Sequence, residues 1–292
     1  MENFFDKMKE ALTEFILNMI MGSVEAMLEL TSEVYEKSIT NIQGNIVETP
    51  AQFSPTLVAT LRDISDTAVL PIAGILLTYI FCYEIYELVT EKNRGNDFET
   101  GQLMFLIIKT AVVILLVTNS FDISLAFFDL GQWMVEQIPL ASLSIGGLFE
   151  NLINEEETSL GMGVALLIIS VISMIAAFFM AGLIYLVAWS RMIVIMLYVA
   201  VAPIPFATLM NRDWIGSIGQ NYVKQLIALM LQGFFMMVCL VIYGGLLEKA
   251  TVLITQEGSG IYAILLMLVS MGVLALSLTR THTLAKSVMG VV

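Results

Sequence analysis

Long uncharged apolar intervals constrain this chain more than any other feature of its sequence. No residue from 158 to 190 is charged, and about 20 apolar residues suffice for a helix to cross the hydrocarbon core of a bilayer. The whole chain is 58% apolar and 13% charged, with a mean hydropathy of +0.87. Soluble domains average about 45–50% apolar and about 25% charged residues. The sequence therefore excludes a soluble enzyme, a soluble nucleic-acid-binding domain and a disordered tail.

The uncharged intervals predict six membrane-spanning helices, since one charge at the bilayer centre costs about 2.5–3.5 kcal/mol on insertion scales. Lys109 lies near enough to the start of the second interval for its ammonium to snorkel toward the headgroups. Residues 158–211 are interrupted only by Arg191 and are too long for one crossing. We expect two helices there, joined by a tight turn at Trp189-Ser190-Arg191. The six predicted spans cover about 69–89, 103–128, 160–186, 192–209, 225–247 and 258–279.

A segment of different character precedes these spans. Over about residues 3–39, apolar side chains recur at helical spacing and acidic side chains occupy the opposite face. Helices that lie on anionic headgroups usually carry Lys and Arg on the polar face, so we expect this amphipathic helix to pack on other segments or on a partner. We expect residues 40–66 to form a polar connector. The predicted fold is an all-α polytopic bundle with two parts, residues 1–66 and a transmembrane domain over 67–292.

The charges are unevenly distributed along the chain. Residues 1–157 hold 23 acids and 7 bases, whereas residues 158–292 hold 3 acids and 6 bases. The loop over 129–157 contains six acids and no Lys or Arg, so the positive-inside rule predicts that it is extracytoplasmic and that Lys92 and Arg94 are cytoplasmic. So acidic a chain is poorly suited to binding a nucleic-acid backbone, and we expect no sequence-specific nucleic-acid binding.

Catalytic signatures are missing from the sequence. It contains no P-loop, HExxH, GxSxG or CxxC motif and a single histidine, His282, so we expect no catalytic residue, metal site or cofactor. Cys82 and Cys239 lie in apolar runs and read as buried packing residues. Glu84, with its neighbours at 87 and 91, could form an intramembrane relay. The cluster lies beside Lys92, which favours interfacial ion pairs instead.

Four residues are candidates for a conduit or a hinge. Arg191 is either an interfacial anchor or, if it lies within the membrane, a group that faces a partner or an aqueous path. Lys109 has the same two interpretations, with snorkelling favoured. Pro203 and Pro205 must break or kink the end of a helix, which is a structural effect first and a hinge second.

Two further patterns concern packing and depth. Trp189 and Trp214 are predicted interface anchors. Small residues recur at multiples of four along the third predicted span, which makes a smooth surface for close helix packing within or between subunits. These residues are Gly161, Ala165, Ser173, Ala177 and Ala181.

A proline-aromatic helix end, a polar turn with tryptophan and a second long helix follow one another here. They are the segment from Ala188-Trp189-Ser190-Arg191 through Ala202-Pro203-Ile204-Pro205-Phe206, then Asn211-Arg212-Asp213-Trp214, then residues 223–243. This arrangement resembles the core of the TrbL-type family, polytopic membrane subunits of conjugative type IV secretion systems. The resemblance covers roughly residues 160–279, and Ala202 departs from the glycine that often precedes the proline.

The resemblance implies a non-enzymatic subunit of the inner membrane that oligomerises. It implies that the subunit helps to form the platform or conduit for DNA-protein export, with lipid, other secretion subunits and their ATPases as partners. Two alternatives stay open. One is a secondary transporter that uses Glu84, Lys109 or Arg191, and the other is a membrane scaffold without its own conduit.

Overall fold

The structure is a computed structural model, and it describes residues 2–92, 100–139, 159–211, 215–257 and 260–291. Every regular element in these ranges is helical, so the predicted all-α class is confirmed. A five-residue π-helical segment, Ser65–Val69, joins α3 to α4 without a break. The α-helices are α1 Glu2–Val47, α2 Pro50–Phe53, α3 Pro55–Ile64, α4 Leu70–Lys92, α5 Thr100–Thr118, α6 Ser120–Glu136, α7 Leu160–Val201, α8 Pro203–Thr208, α9 Gly216–Glu257 and α10 Gly260–Val288.

Within the described ranges, six helical stretches are long and apolar enough to cross a membrane. The number agrees with the sequence prediction, but two members of the set differ. The amphipathic N-terminal helix, which was not predicted to span, is one of the six stretches. The two spans predicted on either side of Arg191 form a single stretch. The six stretches are Asp6–Val47, Pro55–Thr90, Gly101–Thr118, Leu160–Val201, Gly216–Ala250 and Ile261–Val288.

The predicted turn at Trp189-Ser190-Arg191 is wrong, because α7 continues through it as one helix of 42 residues. Serine and arginine are compatible with a helix interior, and neither proline nor glycine occurs between Gly182 and Val201. Pro203 follows the end of α7 and occupies the first turn of α8, where its missing N–H costs no hydrogen bond. The end of α7 is therefore set by Pro203 and not by the charge of Arg191.

The polar connector predicted over 40–66 is mostly helical. α1 runs to Val47, and two short helices follow it. Thr49 caps α2 with a capping box to Gln52, and the Ser54 hydroxyl accepts a hydrogen bond from the Leu57 amide at the start of α3. Pro50 and Pro55 occupy the first turns of α2 and α3, where a missing N–H costs no hydrogen bond.

The second predicted span, 103–128, is divided at Asn119. α5 ends at Thr118, and the Asn119 side chain donates a hydrogen bond of 2.8 Å to the Leu115 carbonyl. α6 then continues to Glu136, so the first part of the predicted acidic loop is helical. Residues 140–157 of that loop lie outside the described residues.

The chain divides into two compact units. The first combines Met1–Gly44, Pro139–Ala188 and Met236–Arg280. Its buried core includes Val24, Leu28 and Ile264, and the Tyr243 hydroxyl donates to Ser270 Oγ at 3.0 Å. The division predicted at residue 66 stays a prediction.

The second unit combines Asn45–Ile138, Trp189–Phe235 and Thr281–Val292. Its buried core is larger, and it is built from the facing sides of α4, α5 and α6 together with α8 and the adjoining parts of α7 and α9. The core includes Ala73, Leu77, Ile80, Leu106, Val113, Val117, Phe121, Phe128, Ile195, Val199, Phe206, Met210, Tyr222 and Leu226. All four candidate conduit or hinge residues belong to this unit.

Candidate functional site

A charged pair lies inside the second unit. Lys109 Nζ on α5 is 3.3 Å from Glu84 Oε2 on α4, and the two side chains are 17% and 15% exposed. Asn211, just beyond α8, donates from Nδ2 to the other Glu84 oxygen at 3.1 Å and is 3% exposed. The Glu84 carboxylate thus accepts hydrogen bonds from two different parts of the chain. We call Glu84, Lys109 and Asn211 the polar cluster.

The polar cluster bears on two sequence predictions. Lys109 has eight residues of the apolar stretch Gly101–Thr118 before it and nine after it, which is about 12 Å along the helix in either direction. It pairs with Glu84 near the middle of this stretch, and the predicted snorkelling of its ammonium stays a prediction. Both Glu84 oxygens have partners within the second unit, and the predicted interfacial pairing beside Lys92 stays a prediction as well. The sequence missed the pair of Glu84 and Lys109 because the two partners are 25 residues apart on different helices.

The short helix α8 is held between α4 and α5. Its Phe206 and Ala207 side chains are buried, and the Thr208 hydroxyl donates to the Pro205 carbonyl at 2.7 Å. Gly219 at the start of α9 passes so close that a Cβ there would be 2.6 Å from the same carbonyl oxygen. Glycine is thus required at this crossing, and α8 is fixed from three sides.

Aromatic contacts join α7 and α9 beside α8. The rings of Tyr198 and Tyr222 stack with centroids 5.8 Å apart, and Phe206 meets Tyr222 edge-on at 5.8 Å. The Tyr222 hydroxyl donates to the Tyr198 carbonyl at 2.8 Å and lies 3.4 Å from Ser124 Oγ on α6. Tyr198 also hydrogen bonds to Gln225 through its hydroxyl. These bonds satisfy polar groups that would otherwise be costly in an apolar interior.

Arg191 faces α9 within this unit. Its Nε is buried and has no hydrogen-bond partner, and no carboxylate of the described chain lies within salt-bridge distance of it. A Cβ added to Gly233 would be 3.0 Å from the guanidinium carbon, so the side chain rests on the α9 backbone. Arginine keeps its charge at any accessible pH, so this cation has no carboxylate partner among the residues that the structure describes. The conduit interpretation of Arg191 remains a prediction.

The predicted packing residues differ in exposure. Ser173, Ala177 and Ala181 are buried in the first unit, whereas Gly161 is exposed and Ala165 half-buried. Their role in helix packing stays a prediction.

The remaining predicted residues also differ in placement. Trp189 is 56% exposed within α7, and Trp214 lies outside the described residues. Cys82 is exposed, contrary to the prediction that it is buried, while Cys239 is half-buried. Cys82 lies on the outer face of α4, and an apolar residue there suits a lipid-facing position.

Sequence reasoning missed Asn211, Gly219 and Gly233. Asn211 was read only as part of a polar turn, although an amide just after a proline-containing helix end is a natural hydrogen-bond donor. No signal in a single sequence assigns Gly219 or Gly233 to a close helix crossing. Among the residues that the structure describes, His, Cys, Asp and Glu form no group of three suited to a metal ion.

The chain matches one protein-family model, described as TrbL/VirB6 plasmid conjugal transfer like protein, over residues 35–203. The match covers more than half of the 292 residues and includes α3, α4, α5, α6 and α7. No curated protein and no solved structure matches the chain. The residues that carried the sequence resemblance overlap with this match up to Pro203. The chain is a multi-pass membrane protein that belongs to the TrbL/VirB6 plasmid conjugal transfer family.

Proposed function

We propose that this protein is a non-enzymatic subunit of a conjugative type IV secretion machine in the inner membrane. In this proposal it oligomerises and forms part of the platform or conduit through which a DNA-protein substrate leaves the donor cell. Energy is supplied by partner ATPases of the machine. The observation that carries the proposal is the family match over residues 35–203.

Surface composition supports a role in assembly within lipid. Along α7, large apolar side chains more than half exposed recur at helical spacing at Ile168, Ile172, Ile175 and Phe179. An apolar stripe of this kind must be covered by acyl chains or by another protein surface. Ser173, Ala177 and Ala181 lie on the buried side of α7, so the exposed apolar stripe is available to lipid and to neighbouring subunits.

The arrangement of charges bears on the transporter alternative. A secondary transporter needs intramembrane charges that change partners or protonation during its cycle. Glu84 accepts hydrogen bonds from both Lys109 and Asn211, so Arg191 is the one of the three candidate transporter residues for which the structure describes no acceptor. The transporter alternative therefore predicts that Arg191 substitutions abolish uptake or efflux by the chain acting alone.

The test is a mating assay. The gene is deleted from a donor that carries its native conjugative element, complemented from a plasmid, and the recipients that acquire the element are counted. We expect transfer to fall to background and to return on complementation, while donor growth is unchanged. Unchanged transfer would refute the proposal, and solute flux through the purified chain in vesicles would favour the transporter.

A further inference from the structure

Arg191 is a cation to which the described part of the chain offers no acceptor. It forms no hydrogen bond and no ion pair with any described residue, and its Nε is buried. Folded proteins keep a buried charge only where it is paired or solvated, because its desolvation is otherwise uncompensated. An unsatisfied group of this kind therefore indicates a ligand that completes it.

The Arg191 guanidinium lies at the edge of the packing face of α7. Met192 and Ile195 on this face are buried and Ser190 is exposed, while Arg191 itself is half-buried. Of its three nitrogens, only Nε is buried without a partner. The two terminal Nη atoms are therefore the part that a ligand reaches, and they are the atoms with which arginine binds oxyanions.

A second donor lies on the same turn of α9. The Arg191 guanidinium rests against Gly233, and the preceding residue, Gln232, is 4% exposed. His282 Nδ1 on α10 lies 3.3 Å from Gln232 Oε1 and donates to it, because a carbonyl oxygen only accepts. Both N–H groups of Gln232 Nε2 then have no acceptor among the described residues. Donors of α7 and α9 thus lie beside each other at this turn.

The surrounding segments carry positive charge only. In the second unit, α7, α9 and α10 contribute residues 189–201, 216–235 and 281–288. These segments contain Arg191, Lys224 and Lys286 and neither Asp nor Glu. An anion that approaches Arg191 therefore meets no fixed negative charge on the three segments.

We propose that Arg191 and Gln232 bind a phosphate group. The Nη atoms of Arg191 donate to it from α7, and the Nε2 of Gln232 donates from α9. Phosphate suits this arrangement better than a carboxylate, because the guanidinium fork alone takes both oxygens of a carboxylate. The source is an anionic lipid headgroup or free phosphate. Basic pockets between transmembrane helices bind phosphate-bearing headgroups.

The experiment measures phosphate affinity on the purified full-length chain in detergent micelles. Inorganic phosphate is one probe and a short-chain phosphatidylglycerol is the other. A diacylglycerol of the same chain length is the control without phosphate. The melting temperature is followed against probe concentration, because a ligand that binds only the folded chain stabilises it by mass action.

Three variants locate the site. Arg191→Gln removes the charge, and Gln232→Leu removes the amide donors while keeping a buried side chain of similar size. Lys224→Gln is the matched control, because it removes an exposed positive charge from α9. Each variant is compared with its own melting temperature without probe, so a change in intrinsic stability does not affect the comparison.

We expect at least one phosphate probe to stabilise the native chain and the diacylglycerol to have no effect. The dissociation constant should rise about tenfold or more in Arg191→Gln and about fivefold in Gln232→Leu, the factors for losing a charged and a neutral hydrogen bond. It should be unchanged in Lys224→Gln. Stabilisation by phosphatidylglycerol alone assigns the site to a lipid headgroup, whereas stabilisation by inorganic phosphate assigns it to free phosphate.

The proposal is overturned if neither probe stabilises the native chain, or if acetate binds as tightly as phosphate. A dissociation constant that stays the same in Arg191→Gln would overturn it as well. Should Arg191→Gln not fold, an unchanged constant in Gln232→Leu has the same consequence. The measurement involves no conjugal transfer, so this proposal and the proposed function can fail independently.

Discussion

Removing Lys109 alone should destabilise the second unit strongly. At 3.3 Å the attraction between Lys109 and Glu84 is about 5 kcal/mol for an effective dielectric constant of 20. Lys109→Met removes this attraction and leaves a carboxylate at mid-span with Asn211 as a remaining donor. Breaking one partner of a buried pair costs about 3–5 kcal/mol, and we expect a loss in this range. Glu84→Gln/Lys109→Met removes both charges and keeps an acceptor for Asn211. We therefore expect the free energy of unfolding of this double variant to lie within about 1 kcal/mol of that of the native chain.

The measurement is a double-mutant cycle on the purified chain. The free energy of unfolding is followed by denaturant titration in mixed micelles for the native chain, both single variants and the double variant. The account predicts a coupling energy of about 5 kcal/mol or more between the two positions, because each single variant should lose about 3–5 kcal/mol and the double variant no more than about 1 kcal/mol. The charge reversal Glu84→Lys/Lys109→Glu should recover part of it. Single variants that each cost less than about 1 kcal/mol and add independently would refute the reasoning.

Three further predictions concern close contacts in the described helices. Gly219→Ala forces a Cβ against the Pro205 carbonyl and should lower the free energy of unfolding by about 1–3 kcal/mol, whereas Gly182→Ala, with no atom nearby, should change it by less than about 1 kcal/mol. Gly233→Ala should lower the melting temperature because the new methyl group displaces the Arg191 guanidinium. The drop in melting temperature should be smaller when Gly233→Ala is made in an Arg191→Met background. A drop of the same size in both backgrounds would contradict the contact. Tyr222→Phe deletes a 2.8 Å hydrogen bond and should cost about 1 kcal/mol, measured by the same titration.

The sequence predicted the class of fold because hydrophobicity in a membrane protein is dominated by long uncharged intervals. It failed at the element boundary predicted at Arg191, which lies inside α7 because its charge is accommodated by protein. The insertion cost of a charge applies to a helix in lipid and not to one in a folded bundle. Pro203, which acts on the backbone itself, was a reliable end signal.

The polar cluster could be predicted only in part. Glu84 and Lys109 were singled out as intramembrane ionisable residues, which by themselves indicate a functional candidate. Their pairing depends on the packing of α4 against α5, and the contribution of Asn211 depends on the insertion of α8 between them. Periodicity within one segment carries no information about which segments meet.

Conjugal transfer from donors with defined alleles tests the central claim most directly. Donors deleted for the gene carry the native allele, Gly182→Ala, Gly219→Ala or an empty plasmid, and transconjugants are counted per donor. The account predicts native transfer with the first two alleles, reduced transfer with Gly219→Ala and background transfer with the empty plasmid. Native transfer from donors that carry the empty plasmid would contradict the claim that this protein is a subunit of the transfer machine.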